Sequence, residues 1–141
     1  MVAKEFTRIT SDKNVKNSIE PIKQNFDDFF DYIEPVSYRF NHGTSGRFHL
    51  GFIAQQIEES LVKANIDLID FAGICIDKDE NQNPKYYVRY GEFIALNTAQ
   101  IQKLKPRVST LEQTILNYES RISNLENEIQ NLKSSQNSDI I

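Results

Sequence analysis

A seven-residue repeat near the C-terminal end of the chain constrains its fold more than any other feature. Apolar residues occupy the a and d positions of five consecutive heptads, and polar or charged residues lie between them. This sustained period of 3.5 residues is typical of a coiled coil. A single helix would leave the apolar seam in water, so the pattern predicts that the tail associates with partner chains. The a residues are Ile101, Val108, Ile115, Ile122 and Ile129, and the d residues are Leu104, Leu111, Tyr118, Leu125 and Leu132.

The number and origin of the partner helices are less constrained than the coil itself. β-Branched residues at a with leucine at d favour two-stranded coiled coils. The alternative is a long helix that folds back on its own globular part, although the strict period disfavours it. Pro106 lies inside the repeat and removes one helical hydrogen bond. It therefore predicts a kink or an interruption between the globular part and the coil.

The residues ahead of the coil predict a small globular part of mixed α and β structure. A helix is predicted over 26–33, ended by Glu34 and Pro35, and a second over 55–65, with Ile57, Leu61 and Val62 facing inward. Two β-hairpins are predicted, one from strands 36–40 and 47–54 around a turn at 41–46, the other from 73–77 and 86–90. Residues 91–104 lead as a helix into the coil. The predicted fold class is α+β with two β-hairpins and short helices, followed by a long C-terminal helix.

Composition excludes several classes of protein for this chain of 141 residues. The net charge of −4, with 15 acids against 11 bases in residues 1–100, disfavours a nucleic-acid binder. No apolar run is long enough to cross a membrane, and no signal-peptide segment follows Met1. Cys75 is the only cysteine, which argues against a disulfide framework or a zinc cluster, and its apolar neighbours predict a buried side chain. No motif indicates a cofactor or a metal ion.

A serine and a lysine near the start of the chain form the first candidate site. A lysine that has lost its proton can act as the base for a serine nucleophile, as in Ser–Lys variants of the serine triad. On an ideal helix, Ser11 and Lys16 would point about 140° apart. A working dyad therefore requires a non-helical turn here, or a lysine from a neighbouring chain. The alternative is that Ser11 caps a short helix and Lys16 is solvated.

Two further clusters have simpler alternative explanations. Arg47 and His49 lie two residues apart on a predicted strand, where they could contribute acid–base chemistry or only a cross-strand contact. The acidic stretch 77–83 resembles the start of a calcium-binding loop. However, Gln82 stands where that loop needs glycine, and Val88 where it needs glutamate, so a solvated hairpin turn is predicted.

Five motifs, in a fixed order along the chain, carry a resemblance to a known family. They are Ser11-Asp12-x-x-x-Lys16-Asn17-x-Ile19, Pro35-Val36-x-Tyr38-x-Phe40, Arg47-x-His49-x-Gly51-Phe52-Ile53-Ala54-Gln55-Gln56-Ile57-Glu58, Val88-x-Tyr90 and Ala99-Gln100-Ile101-Gln102-x-Leu104. Together they resemble the S74 peptidase, or intramolecular chaperone, domain at the C-terminus of phage endosialidases, tail spikes and neck appendages. The run from Gly51 to Gln55 is the most specific part of the likeness.

The resemblance implies a function and a set of residue roles. The domain would assemble a phage fibre as a homotrimer inside the host cell, and would then release itself by autoproteolysis. Ser11 would be the nucleophile, Lys16 its general base, and Thr10–Ser11 the scissile bond. Asp12, Arg47 and His49 would support the dyad or contact a neighbouring protomer. The partners are then two further copies and the fibre shaft of the same chain, with no nucleic acid and no membrane.

The resemblance also suggests how the chain is divided. Residues 1–10 look like the end of the upstream fibre, 11–100 form the globular chaperone part, 101–134 the coiled coil and 135–141 a flexible tail. The rival function is a non-catalytic trimerisation and attachment module of a phage structural protein, in which Ser11 and Lys16 are incidental. Self-cleavage of a longer precursor distinguishes the two functions.

Overall fold

The structure, a computed structural model, describes residues 10–42 and 46–140 and confirms the predicted α+β class. The described residues form two compact units, divided between Val88 and Arg89. The first unit holds two short helices, two antiparallel hairpins and two 3-10 turns, and the second holds one long helix. The helices and strands are α1 (Asn25–Tyr32), β1 (Val36–Tyr38), β2 (His49–Gly51), α2 (Ala54–Lys63), β3 (Ile74–Lys78), β4 (Pro84–Val88) and α3 (Tyr90–Ser138), and the 3-10 turns are Lys13–Val15 and Leu68–Asp70.

Both predicted hairpins are present, with strands shorter than or shifted from the predicted ranges. In the first, β1 pairs with β2 so that Tyr38 lies opposite His49. In the second, β3 pairs with β4 from Ile74 opposite Val88 to Lys78 opposite Pro84. Residues 43–45 of the predicted first turn lie outside the described residues. So do residues 1–9 of the predicted fibre stub.

An aromatic cluster and one face of α2 form the core of the first unit. The rings of Phe26, Phe29 and Phe71 meet edge to face, with centroids 5.3 to 6.1 Å apart. Ile57 and Leu61 project from α2 and are almost fully buried. The buried hydroxyl of Ser60 lies 2.7 Å from the carbonyl oxygen of Gln56 and 3.2 Å from that of Tyr32, at the end of α1. It can therefore donate to either, which helps to hold the two helices together.

The prediction that Val62 faces inward was wrong, because its side chain is 73% exposed. Ile57 and Leu61 are four residues apart and share one face of α2. Val62 follows Leu61 by one residue, a rotation of about 100° that carries it off that face.

The prediction that Cys75 is buried was also wrong, because its side chain is only half-buried. Successive residues of a strand alternate between faces, and Ile74 takes the covered face of β3.

The long helix α3 contains the whole predicted seam. It runs through Pro106 as one helix, so the predicted interruption is not found. A proline removes only its own N–H bond, and the carbonyl left without this donor belongs to exposed Gln102, where water can bind it. The helix also extends to Ser138, beyond residue 134 where the repeat ends. The ten seam side chains are 43 to 66% exposed in the single chain.

Candidate active site

A short 3-10 turn shapes the chain between Ser11 and Lys16. Asp12 precedes the turn with extended backbone angles (φ −63°, ψ 138°), and its carboxylate accepts a hydrogen bond from the Asn14 N–H at 2.8 Å. Lys16 follows the turn, again extended (φ −120°, ψ 151°), and its N–H bonds to the Lys13 carbonyl. The segment is therefore a single 3-10 turn between two extended residues. It replaces the regular α-helix that would separate Ser11 from Lys16.

The turn brings the two predicted dyad side chains into direct contact. Lys16 Nζ donates a hydrogen bond to Ser11 Oγ at 2.6 Å. Both residues come from one chain, so no lysine from a neighbour is needed to form the pair. The alternative in which Ser11 caps the helix was wrong, because Asp12 provides the side-chain cap. The catalytic roles of Ser11 and Lys16 and the scissile bond at Thr10 stay predictions.

The geometry of this pair suits proton transfer, although its surroundings in the single chain are open. A base within about 2.6–3.2 Å of a hydroxyl can take its proton directly. The lysine must first be neutral, and burial favours loss of the proton from an ammonium group. Thr10, Ser11 and Lys16 are all exposed in the single chain. The chain therefore supplies the contact between the two groups without the burial that a lysine base needs.

His49 belongs to an aromatic cluster on the first hairpin. Its ring stacks on that of Tyr38, at 5.6 Å between centroids, and meets Phe40 edge to face at 5.0 Å. No hydrogen bond joins it to Ser11 or Lys16 within the described residues. In the single chain, His49 thus makes a cross-strand contact, as the simpler alternative expected. The contact is ring stacking on Tyr38 and not a hydrogen bond. The supporting roles of Asp12, Arg47 and His49 stay predictions.

The opposite face of the same hairpin carries two exposed apolar side chains that were not predicted as a functional feature. Phe48 and Leu50 are 66 and 83% exposed. They are two residues apart and so share a face of the strand. The Arg39 guanidinium lies 4.1 Å from the centroid of the Phe48 ring. The sequence did contain a signal for this apolar face, because Phe48 and Leu50 flank the polar His49 and alternate with it along the strand.

The acidic stretch 77–83 ends β3 and forms the turn of the second hairpin at 79–83, as the predicted hairpin turn requires. Asp79 Oδ1 accepts hydrogen bonds from the N–H groups of Asn81 and Asn83, both at 2.8 Å. The bond from Asn83 is the main reason that the pKa of Asp79 is lowered. The carboxylate is therefore occupied by its own turn.

Among the described residues, no group of three or more His, Cys, Asp or Glu side chains is arranged to hold a metal ion. None of the described helices has an apolar stretch long enough to span a lipid bilayer.

Comparison with protein families identifies the segment that holds the Ser11–Lys16 pair. The model of peptidase family S74, described as "Chaperone of endosialidase", matches residues 11–66. Residues 11–66 are therefore similar to the S74 chaperone domain. The match begins at Ser11 and includes the turn, the first hairpin and α2. The resemblance stated from the motifs is thereby confirmed.

One curated protein and one solved structure are similar to this chain. The chain is 29% identical over 100 residues to the capsule K3-specific depolymerase 1 of Klebsiella phage KP32, a match that covers 67% of this chain. The chain spans only 11% of that depolymerase. A solved structure entitled "Crystal structure of a novel intramolecular chaperon" superposes with a TM-score of 0.58 at 23% identity, covering 69% of this chain and 99% of the other. This likeness shows that the two chains share a fold.

Proposed function

We propose that this chain is the C-terminal intramolecular chaperone of a phage fibre or appendage. Three copies assemble, align the upstream fibre chains for folding, and then release themselves by cutting between Thr10 and Ser11. The observation that carries the proposal is the 2.6 Å contact of Lys16 Nζ with Ser11 Oγ, at the first residue of the S74 match. The relative from Klebsiella phage KP32 is a depolymerase, which supports a phage appendage as the upstream partner.

The cleavage proceeds by proton transfer within the pair and attack on the preceding carbonyl. Neutral Lys16 Nζ takes the Ser11 hydroxyl proton while Oγ bonds to the Thr10 carbonyl carbon. The lysine then returns a proton to the Ser11 nitrogen as the Thr10–Ser11 C–N bond breaks. The product is an ester that joins the Thr10 acyl group to Oγ. Water hydrolyses this ester, giving a Thr10 carboxylate and a domain that begins with Ser11.

Cleavage is coupled to assembly because the single chain leaves Lys16 in water. A neutral lysine is favoured by burial, and neighbouring protomers or the folded fibre provide it. The seam of α3 and the apolar pair Phe48 and Leu50 are surfaces on which other copies can pack. An unassembled precursor therefore stays intact, and the assembled one is cut.

This order of events suits the folding of an intertwined fibre. Bringing three chains into register costs entropy before any non-local contact forms. A folded trimeric domain raises the effective concentration of the attached chains. Release after folding removes the assembly aid, so that the mature fibre persists because its unfolding barrier is high. The chaperone acts inside the host cell during virion assembly and leaves the mature appendage.

The proposal is tested on a precursor in which the chain follows its own upstream fibre. We expect cleavage without added protease, N-terminal sequencing of the released domain to begin at Ser11, and no cleavage in Ser11→Ala or Lys16→Ala. Lys16→Arg also fails, because a guanidinium does not give up its proton at working pH.

Lys13→Arg is the matched control for Lys16→Arg, because Lys13 lies in the same exposed turn. It should leave cleavage unchanged. Normal cleavage in Lys16→Arg, or a released domain that begins at another residue, contradicts the mechanism. A precursor that assembles as a trimer but is never cut supports the rival function of a non-catalytic attachment module.

A further inference from the structure

The charged residues of α3 follow a spacing that the apolar seam does not explain. Three pairs of opposite charge are separated by five residues along the helix. They are Arg107 with Glu112, Arg121 with Glu126, and Glu128 with Lys133. All six side chains are exposed in the single chain.

These charges do not stabilise the helix on which they lie. Side chains interact along one helix at separations of three or four residues. None of the six has an oppositely charged residue at either separation, in either direction. In the described part of the chain, none of them forms an ion pair or a hydrogen bond. A separation of five places the members of each pair on different sides of an isolated helix, about 140° apart.

A separation of five is instead the spacing at which neighbouring parallel helices meet beside a seam. With Ile101 at position a, the residues Arg107, Arg121 and Glu128 occupy g positions. Glu112, Glu126 and Lys133 occupy e positions. In a parallel coiled coil, a g residue of one helix lies beside the e residue five positions later on its neighbour, and these pairs set partner choice and orientation. Each of the three pairs is attractive when two copies align without offset.

Other alignments bring like charges together. A shift of one heptad in one direction sets Arg121 beside Lys133 of the neighbour. A shift in the other direction sets Arg107 beside Lys105, and Glu128 beside Glu126. Reversing one helix makes e positions face e positions, and the three central ones, Glu112, Glu119 and Glu126, are all acidic.

We propose that these three g–e pairs fix the copies of this chain as parallel helices with no axial offset. The partner is a second copy of the same chain, chosen by charge complementarity along α3. The apolar seam alone repeats every heptad and tolerates a shift. The charges give three attractive pairs and no like-charge pair only at zero offset, since a shift of one heptad keeps a single attractive pair, with Glu119, beside the like-charge contacts. This inference rests on the proposed function, because it assumes that α3 assembles with its own copies and supplies the register in which fibre chains are held.

Charge reversal in the full chain tests the energetic part of the proposal. Glu126→Arg sets two arginines together at every helix–helix interface, and we expect association at least about tenfold weaker in low salt. The loss should shrink in about 1 M salt, where charges are screened over about 3 Å. The double variant Arg121→Glu/Glu126→Arg restores opposite charges and should restore association. Asn127→Arg is the matched control, because it adds a positive charge at the adjacent outward f position.

Disulfide trapping tests the register itself. Two chains of different mass are prepared in a Cys75→Ser background, one with Leu125→Cys and the other with Leu132→Cys, and are refolded together in a thiol–disulfide buffer. Disulfides form only between cysteines whose Cα atoms come close, which here means the same layer. Zero offset gives 125–125 and 132–132 links, whereas an offset of one heptad gives 125–132 links. We expect like-position links in this background, and 125–132 links to increase when Glu126→Arg is added to both chains.

Each outcome decides the proposal. Predominant 125–132 links in the unreversed background, or the absence of like-position links, overturn it. So does an association constant for Glu126→Arg equal to that of Asn127→Arg. A wild-type chain that sediments as a monomer refutes the assembly step of the proposed function, and the register proposal with it. An oligomer that is insensitive to charge reversal refutes only the register proposal.

Discussion

The absence of a side chain at Gly73 allows the Phe71 ring to pack directly against the backbone in the core of the first unit. A Cβ atom at this position would overlap the ring of Phe71. The Phe71 side chain is only 9% exposed, and its ring packs edge to face on Phe26 and Phe29. The ring therefore has little freedom to move aside. A glycine at the first position of the predicted strand 73–77 gave no sign of this close approach, because the contact depends on the tertiary position of Phe71.

Gly73→Ala should therefore destabilise the protein. Overpacking a well-packed core typically costs about 1–3 kcal/mol, and we expect a loss of that size in the free energy of unfolding measured with urea. Gly91→Ala is the matched control, because nothing lies within 4 Å of a Cβ at Gly91 and the residue lies in α3. That control should be neutral or stabilising, since alanine favours a helix. Equal losses in the two variants would contradict the role assigned to the Phe71 contact.

At the scale of single elements, prediction worked where a local pattern determines the structure. The spacing of Ile57 and Leu61 predicted the buried face of α2, and the alternation after Pro35 predicted β1. Strand ends were less predictable, because they depend on which backbone groups find a partner across the hairpin. The interruption predicted at Pro106 was wrong, because a single proline removes one hydrogen bond while the many others in α3 remain. The kink that was the other possibility stays a prediction.

The geometry of the Ser11–Lys16 pair was predictable only in part. The sequence showed that a regular helix would separate Ser11 from Lys16, and hence that a different turn was needed. It did not show that Asp12, through its bond to Asn14, would cap a turn of only three residues. Asp12 caps the start of the turn, and the extended angles of Lys16 mark its end. These details depend on local backbone angles that motif spacing does not encode.

The turn between β3 and β4 should make hairpin stability depend on pH. Hydrogen bonds, mainly from the Asn83 N–H, lower the pKa of Asp79 below 3.8 in the folded state. A carboxylate with a lowered folded pKa stabilises the fold above its unfolded pKa, and that stabilisation is lost as the pH falls through the folded value. We expect Asp79→Asn to lower the melting temperature at neutral pH, and the difference from wild type to shrink below pH 3.8.

Glu80→Gln is the control for this prediction, because Glu80 lies in the same turn and accepts none of these bonds within the described residues. Its melting temperature should follow that of the wild type across the whole range. Circular dichroism from pH 7 down to pH 3 measures all three proteins. A constant difference between Asp79→Asn and wild type over that range would contradict the assignment to the carboxylate.

At the scale of the whole molecule, the exposed seam of α3 is the feature from which we expect assembly. Its seven-residue pattern predicted the helix, which the structure confirms, and partner chains, which stay a prediction. The sequence gives conflicting indications of the number of helices in the coil. The a and d residues favour two, whereas the resemblance to the S74 family implies three. Side-chain preferences at one seam do not include contacts made by the rest of the chain.

Ile115→Asp with Ile122→Asp should separate the copies. Each isoleucine contributes about 1.5–3 kcal/mol when it is fully buried, and an aspartate in the seam adds the cost of burying a charge. We expect sedimentation equilibrium to give a homotrimer for the wild type and a monomer for the double variant. Leu116→Asp is the control, because Leu116 lies outside the seam at position b and is 58% exposed. A monomeric or dimeric wild type would refute the homotrimer.

The contact between Lys16 Nζ and Ser11 Oγ has a genetic consequence if the pair performs the proposed cleavage. The two groups lie five residues apart on one polypeptide and meet at 2.6 Å, so each copy carries its whole reaction centre. Two defective alleles, Ser11→Ala and Lys16→Ala, expressed together in one host cell then cannot complement each other, because every gene product lacks one half of the pair. Coexpression of a mutant with the wild type leaves the wild-type copies able to cut, and the released fraction follows allele dosage.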